Sequence, residues 1–400
     1  MNPKLLIHDY AGHPFQFELS KHLAKNGFNV LHAYTSASGG PIAGFDHNLA
    51  NLEVKNIPID RFKKDNFIQR ARQEYRFGKQ IVHVFNQWQP DLVVSTNAPL
   101  LAQKQIVKWC NSNRVPTVFW LQDLLSLAAK SILSRRIPLI GQVASAYFHH
   151  IEIKALHRSD HIIAVTEDFI PILKNWHIRE DKITVIRNWS PIENFPVLPK
   201  ENDFSRQHNL LDKFVVLYSG TLGMKQNPQY IYDIAERLEA NNPDIQFVVI
   251  SEGVGIELLE KNQKKKRLSN LTLLPFQSFN ILPQVLASAD ALLSILDEEA
   301  GIYCVPSKVW SGFCAKRPSL LIVPEFNLAA KVTKKHNAGI VINNDVINNL
   351  EKAIIRLKED AKLRNQMAFN ARKYAEENFN INTISARFIK IFNNLLKNPK

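Results

Sequence analysis

Apolar and polar positions follow two alternating rhythms along the first half of the chain. Short unbroken apolar runs predict buried strands: "KLLIH" (4–8), "FNVLHAYT" (28–35), "DLVVST" (91–96), "PTVFWLQD" (116–123), "DHIIAVT" (160–166) and "KITVIRN" (182–188). Between them, apolar residues recur three or four apart. "PFQFELSKHLAKNG" (14–27) is an amphipathic helix closed by Gly27, and "RFGKQIVHVFNQWQP" (76–90), "LLAQKQIVKWCNSN" (100–113) and a long zone around 131–156 also read as helical. Strands separated by helices imply a parallel, doubly wound sheet.

The rhythm breaks at "WSPIENFPVLPKENDFSRQ" (189–207), whose three prolines and weak periodicity predict a linker. It then restarts with strands at 214–220, 245–251, 271–276, 289–296, 318–323 and 338–343 and helices at 227–243 and 281–288. From Val346 the tail is helical, with a break near Asn380. The expected organisation is a Rossmann-like domain over 1–190, a linker over 191–210, a second Rossmann-like domain over 211–380, and a helix over 381–400 packing back on the first domain. The expected fold class is α/β: two doubly wound domains facing a central cleft, since ligands in such sheets bind beyond the carboxyl ends of the strands.

Composition narrows the picture a little. A 400-residue chain with 45% hydrophobic and 22% charged residues is globular and long enough for two cores. The net charge of +13 points to an anionic partner. Cys110, Cys304 and Cys314 lack metal spacing and fit a reducing compartment. The apolar run before His8 is too short for a signal peptide, and no stretch reaches the roughly 18 residues of a membrane span. The expected location is therefore cytoplasmic. The stretch 131–156 mixes Arg135 and Arg136 with Ile132, Leu133, Leu139, Ile140, Val143, Tyr147 and Phe148. That pattern suits peripheral contact with an anionic membrane surface, here the inner face of the cell membrane, and equally an ordinary buried helix. No RNA-binding or helix-turn-helix signature is present, so nucleic acid is not an expected partner. No Asp-x-Asp pair or metal-ligand cluster stands out, so no metal is expected.

Four segments carry candidate chemistry. In "YSGTLGMKQN" (218–227) a strand ends at Gly220, Gly223 follows, and Lys225 precedes a helix; glycines let backbone amides approach a ligand, and the lysine supplies a point charge for a diphosphate. The plain reading is a turn with a surface lysine. In "GIYCVPSKVWSGFC" (301–314), Ser307 and Lys308 follow Pro306 at a helix start; Ser307 suits an N-cap, whereas Lys308 opposes the helix dipole unless an anion binds there. "SEGVGIELL" (251–259) ends a strand with Glu252 and Gly253, lining a nucleotide pocket or simply turning the chain. In "HDYAGHPFQ" (8–16) and "WLQDLLS" (120–126), Gly12, His13, Gln122 and Asp123 lie at the sheet's carboxyl edge. Asp123 reads as the only acid there, able to accept a proton, bind a sugar hydroxyl or cap a helix.

Taken in order, "IRNWSP", "YSGTLGMKQN", "SEGVG" and "VPSKVW…KRPSLLI" resemble the C-terminal half of glycosyltransferase family 4, in its bacterial exopolysaccharide and colanic-acid branch. The resemblance implies the GT-B fold and transfer of a sugar, with retention at the anomeric carbon, from a nucleoside-diphosphate sugar to a glycan or polyprenyl-linked acceptor. The donor is the substrate, and no cofactor is implied. Gly220, Thr221, Gly223 and Lys225 would cradle the diphosphate, Ser307 and Lys308 would meet the phosphates or the sugar, and Glu252, Gly253 and Phe276 would lie near the base. The resemblance also marks departures. The places of the family's paired glutamates hold Tyr303 and Ser311, with Glu298 and Glu299 just upstream. Thr221 stands where many members have arginine, and Gln122-Asp123 where an acceptor-side histidine is usual. These losses keep two other readings open: a nucleotide-sugar epimerase, and a non-catalytic scaffold on a transferase fold.

Overall fold

The computed structural model describes residues 2–35, 49–59, 67–96, 98–136 and 138–397. The chain forms two compact units, one of residues 1–188 with 381–400 and the other of residues 189–380.

In unit 1 the elements run β1 (Lys4–Asp9), α1 (Pro14–Lys25), β2 (Asn29–Tyr34), β3 (Leu52–Asn56), α2 (Phe67–Trp88), β4 (Leu92–Thr96), α3 (Leu100–Ser112), β5 (Thr117–Leu121), α4 (Leu125–Arg136), α5 (Pro138–Arg158), β6 (His161–Ala164), α6 (Phe169–Asn175) and β7 (Ile183–Val185). All seven strands are parallel, in the order β3-β2-β1-β4-β5-β6-β7. The two faces of the sheet bury different partners. Leu6, Leu31 and Val93 pack with Phe77, Ile81 and Phe85 of α2 and with Ala102 and Ile106 of α3. On the other face Phe17 of α1 meets His32, with ring centroids 5.3 Å apart. Strand β3 is absent from the sequence expectations, because its burial is only partial and Glu53, Lys55 and Asn56 mask the alternation.

Unit 2 contains α7 (Asp203–Gln207), β8 (Phe214–Ser219), α8 (Gln229–Glu239), β9 (Ile245–Ile250), α9 (Val254–Lys265), β10 (Leu271–Leu274), α10 (Leu282–Ala287), β11 (Ala291–Ile295), α11 (Glu298–Tyr303), α12 (Lys308–Cys314), β12 (Ser319–Ile322), α13 (Leu328–Lys335), β13 (Gly339–Val341), α14 (Val346–Glu359) and α15 (Ala361–Asn378). Its six parallel strands lie in the order β10-β9-β8-β11-β12-β13. Val216, Phe247 and Leu293 pack beneath Ile231 and Leu238 of α8 and Leu350 and Ile354 of α14.

Three expectations change. Residues 191–210 are not a loose linker: Phe195, Phe204 and Leu210 are buried, and Lys200 pairs with Asp290 at 2.5 Å, so the prolines stiffen a segment packed on unit 2. The tail divides a second time at Asp360, whose carboxylate accepts the Leu363 amide at 2.8 Å and starts α15. The 131–156 stretch is two helices rather than one. The last helix, α16 (Ile381–Lys397), belongs to unit 1, where Phe388 covers Trp120 with ring centroids 4.8 Å apart.

Candidate functional site

The loops after β1 and β8, which carry Gly12 and His13 in unit 1 and Gly220 to Lys225 in unit 2, lie where the strand order reverses, between β1 and β4 and between β8 and β11. Doubly wound sheets bind ligands at such switch points, because the loops on either side diverge to opposite faces and leave a crevice.

In unit 2, β8 ends at Ser219 and Gly220 follows with φ of +128°, a conformation few side chains tolerate. The chain then passes exposed Thr221 and buried Leu222 to Gly223, whose amide donates to Gln226 Oε1 at 2.8 Å. A short 3-10 turn, Met224–Gln226, presents exposed Lys225. The Lys225 carbonyl accepts the Asp297 amide at 2.9 Å, which ties this loop to the loop after β11. Asp297 in turn caps α11, its carboxylate accepting the Ala300 amide at 2.7 Å.

Lys308 is the decisive side chain. Its Nζ is shut off from solvent and has no hydrogen-bond partner. It lies 3.7 Å from the centroid of the Tyr218 ring, and a Cβ built on Gly220 would stand 3.0 Å from it. Burial, reinforced by the nearby positive charge of Lys225, lowers the Lys308 ammonium from 10.5 to about 7. Burial also pushes the Tyr218 phenol up, so the ring stays neutral, donating to the Thr221 carbonyl at 2.9 Å. A buried amine whose N–H groups have no acceptor, beside a second lysine and against a glycine, is able to take up its full charge and donate to an anion.

The neighbouring candidates fall around these two lysines unevenly. Ser307 is not an N-cap: it adopts helical φ and ψ, and its side chain makes no capping bond. Ser311 Oγ is turned back onto the Lys308 carbonyl at 3.0 Å, so its hydroxyl serves the helix. Tyr303 is buried in the last turn of α11, whereas Glu299 is exposed in its first turn. Glu252 is exposed, and Gly253 takes φ of +105° just before α9. Gly255 brings that turn against the first loop: its amide donates to the Leu222 carbonyl at 2.8 Å, and an added Cβ would lie 2.4 Å from the same oxygen. Phe276 follows β10 and is 39% exposed.

In unit 1 the loop after β1 is built on Asp9, which corrects the expectation that Asp123 is the only acid at this edge. Fully buried, Asp9 accepts backbone amides from Ala11 at 3.1 Å, Gly12 at 3.0 Å and His13. It also holds the His13 imidazole, through Nδ1 at 3.1 Å. Gly12, with φ of +69°, lets the chain curl around the carboxylate. With its amide nitrogen turned inward, Gln16 adds a donor 2.7 Å from Asp9 Oδ1. Burial raises the Asp9 carboxyl, but the charge and hydrogen bonds of His13 and His32 outweigh it and hold it well below the usual carboxylate range. His13 is half-exposed; burial lowers it, and Asp9 and then Asp123 raise it above its ordinary value. Asp123 lies two residues beyond the end of β5. Gln122 is turned to Asn188, whose amide donates to its Oε1 at 2.5 Å. The start of α4 is held by Glu152 of α5, which accepts from the amides of Leu125 at 2.8 Å and Ser126 at 3.0 Å.

Asp9, Asp297 and Tyr218 are the members that the sequence alone does not single out. The spacing Asp9-x-x-Gly12-His13 was the available signal for the first, since an Asp two to four residues before free amides favours an Asx-type turn.

Two parallel switch-point sites, one cationic and one carboxylate–histidine, define an α/β protein with two Rossmann-like domains, the GT-B class. Comparison with known proteins agrees. The family described as Glycosyltransferase Family 4 matches residues 15–193, and Glycosyl transferases group 1 matches residues 200–374. The chain belongs to glycosyltransferase family 4. It is 25% identical over 233 residues to the putative colanic acid biosynthesis glycosyl transferase WcaI of Escherichia coli (strain K12), covering 56% of this chain and 54% of that one. It is 26% identical over 171 residues, 42% of each chain, to an alpha-D-kanosaminyltransferase of Streptomyces kanamyceticus. These alignments thus span about half the length of the curated relatives or less. Among solved structures, Anabaena HepE in complex with UDP and glucose matches with a TM-score of 0.74 at 15% identity, covering 98% of this chain and 100% of that one. WaaG, a glycosyltransferase involved in lipopolysaccharide biosynthesis, matches with a TM-score of 0.69 at 14% identity, covering 97% and 99%.

Proposed function

We propose that the protein is a retaining, metal-independent hexosyltransferase that moves a sugar from a nucleoside-diphosphate sugar to a glycan or polyprenyl-linked acceptor in surface polysaccharide biosynthesis. The observation that carries this reading is Lys308: a buried, unpartnered Nζ beside Gly220 and Lys225 at the unit 2 switch point. Support comes from relatives: HepE has been solved with UDP-glucose, and WcaI is described as acting in colanic acid biosynthesis.

In the proposed reaction Lys308 and Lys225 hold the donor's diphosphate. The bond from the sugar's anomeric carbon to the β-phosphate oxygen breaks, and its electron pair stays on that oxygen. The acceptor hydroxyl oxygen bonds to the anomeric carbon from the same face, and its proton passes to the departing phosphate. The lysines stabilise the growing negative charge, a contribution typically worth ~3 kcal/mol per preorganised donor. His13, oriented by Asp9, receives and aligns the acceptor hydroxyl.

The test is a thermal-shift screen against UDP, GDP and their sugars, because a ligand that binds only the folded state raises the melting temperature. One diphosphate series should stabilise the wild type. Turnover of the sugar that binds should fall roughly 10²–10³-fold in Lys225→Ala and Lys308→Ala, and chelation by EDTA should leave the wild-type rate unchanged. Absence of any nucleotide shift would leave a scaffold, and wild-type rates in both variants would overturn the assignment.

A further inference from the structure

The carboxylate of Asp9 is loaded unequally on its two oxygens. Oδ1 accepts from the amides of Ala11 at 3.1 Å and Gly12 at 3.0 Å, from His13 Nδ1 at 3.1 Å and, with the Gln16 amide nitrogen turned inward, from that nitrogen at 2.7 Å. Oδ2 takes the His13 amide and, more distantly, the same Gln16 nitrogen at 3.1 Å. Beyond these it has Nε2 of His32, 3.7 Å away.

His32 lies on β2 in register with Ile7, two residues before Asp9, so the two side chains share one face of the sheet. Both are fully buried. The imidazole meets the Phe17 ring edge-on, with centroids 5.3 Å apart, and the Tyr34 ring at 6.4 Å. An apolar side chain would fill that slot without the cost of stripping water from two nitrogens, so filling space does not account for a histidine. The nitrogens do: Nδ1 lies 2.7 Å from Ser20 Oγ, and Nε2, which has no hydrogen-bond partner, is the atom that comes near Asp9.

The tautomer follows from this chain of contacts. The Ser20 hydroxyl has one proton and two acceptors within reach, the Gln16 carbonyl at 3.2 Å and His32 Nδ1. Given to the carbonyl, that proton leaves a neutral His32 protonated on Nδ1, with a bare lone pair on Nε2 facing a carboxylate. Given to Nδ1, it puts the His32 proton on Nε2, where the negative charge of Asp9 attracts it. The second arrangement is favoured, because the first sets lone pairs against each other in a buried site.

We propose that His32 is a positioning residue for His13: fixed by Ser20, it offers its Nε2–H to Asp9 Oδ2 and thereby sets how tightly Asp9 holds the His13 imidazole. Two imidazoles then divide one carboxylate. Charge engaged by His32 is withheld from His13, so His13 keeps its orientation yet gives up its proton more readily than it would beside Asp9 alone. The other titratable groups around the pair are His8, lowered to about 4 by burial and therefore neutral, and Asp123, whose charge acts on His13 more weakly than that of Asp9. Gln16 and Thr96 are its neutral neighbours. The proposal deepens the proposed function and rests on it only for the use made of His13, since a neutral imidazole is the form that accepts a hydrogen bond from an acceptor hydroxyl.

The test is a pH titration of the full chain without ligand, followed by the NMR signals of the histidine ring nitrogens and assigned by substitution. In the wild type, His32 should carry its proton on Nε2 and leave Nδ1 bare across the neutral range. His32→Phe keeps a ring in the slot and removes the donor. An opposite charge moves a titrating group by roughly one to three units, and loss of one competing donor should raise the His13 midpoint by a fraction of that, roughly half a unit. His32→Gln, which returns an N–H to Asp9, should restore most of the wild-type midpoint. His161, in the same sheet with Nε2 2.9 Å from Thr184 Oγ1, should titrate unchanged in both variants. The proposal fails if the wild-type Nε2 is bare, a result that needs no variant to fold. It fails also if the His13 midpoint stays in place in His32→Phe, moves together with that of His161, or moves equally in His32→Gln; His32 is then a packing residue. Thermal shifts with UDP and GDP read the unit 2 site separately. If no protein responds to nucleotide while His13 moves as stated, the transferase reading falls and the positioning stands; if nucleotide binds and His13 does not move, the reverse holds.

Discussion

Replacing Lys308 by methionine should make the ligand-free protein more stable and at the same time damage its function. The Nζ of Lys308 is buried without a partner, and leaving such a group unsatisfied costs about 1–3 kcal/mol. Protonation adds a pH-dependent part. The ammonium falls from 10.5 to about 7 on folding, so the unfolded chain binds a proton that the folded chain gives up between those values. Stability therefore rises with pH from about 7 to about 10.5, and the penalty is fully present below 7. At about 1.36 kcal/mol per unit, the penalty approaches about 5 kcal/mol at pH 6 and about 2 kcal/mol at pH 9. Methionine keeps most of the volume, removes the charge and places a thioether near the Tyr218 ring. Urea unfolding followed by the summed emission of the six tryptophans, one of them Trp310, buried two residues along the same helix, should show Lys308→Met more stable than the wild type, with the gain shrinking from pH 6 to pH 9. The nucleotide response should move the other way. A lost charge-assisted hydrogen bond is worth about 1.5–3 kcal/mol, or a roughly 10- to 150-fold weaker diphosphate complex. A variant less stable than the wild type at every pH, or a gain that does not shrink on raising the pH, would refute the argument from burial. Unchanged nucleotide affinity would refute the assigned role.

Two further outcomes follow from the loops. Asp9→Asn removes the charge that three amides and His13 share, and should lower stability by about 3–5 kcal/mol in denaturant titrations; the His13 titration, followed by NMR, should move to lower pH, and a His13 pKa that stays in place would detach it from Asp9. Gly255→Ala sets a Cβ 2.4 Å from the Leu222 carbonyl and must move backbone, so nucleotide binding should weaken along with stability; a thermal shift and affinity equal to the wild type would show that the two loops are not coupled.

How far the sequence discloses such a site depends on how local the cause is. Strands β1, β4 and β5 are buried on both faces, and unbroken apolar runs announce them. Gly220, Gly223 and Lys308 were also legible, because a glycine after a strand and a lysine opposing a helix dipole are local anomalies that ask for an explanation. Asp9 was not: as the final residue of β1 it looks like an ordinary strand end, and its role arises only when the next four residues curl back on it. The bond between Asp297 and Lys225 joins positions 72 residues apart and exists because β11 is laid beside β8. Ser311, at the place of the family's second glutamate, turns its hydroxyl onto its own helix, a local bond that the sequence does not display.

The return of α16 to unit 1 has a consequence for how the protein is made. Residues 189–380 form a continuous stretch, so on the ribosome unit 2 has its whole chain before unit 1 does. Until Phe388 emerges, the Trp120 ring has Phe15, at 5.6 Å, but lacks the nearer of its two aromatic neighbours, so a nascent chain that has finished the sheet but not yet reached Ile381 leaves that flank of the tryptophan uncovered. Loss of the final seventeen-residue helix would thus injure the half of the molecule synthesised first and spare the half beside it in sequence.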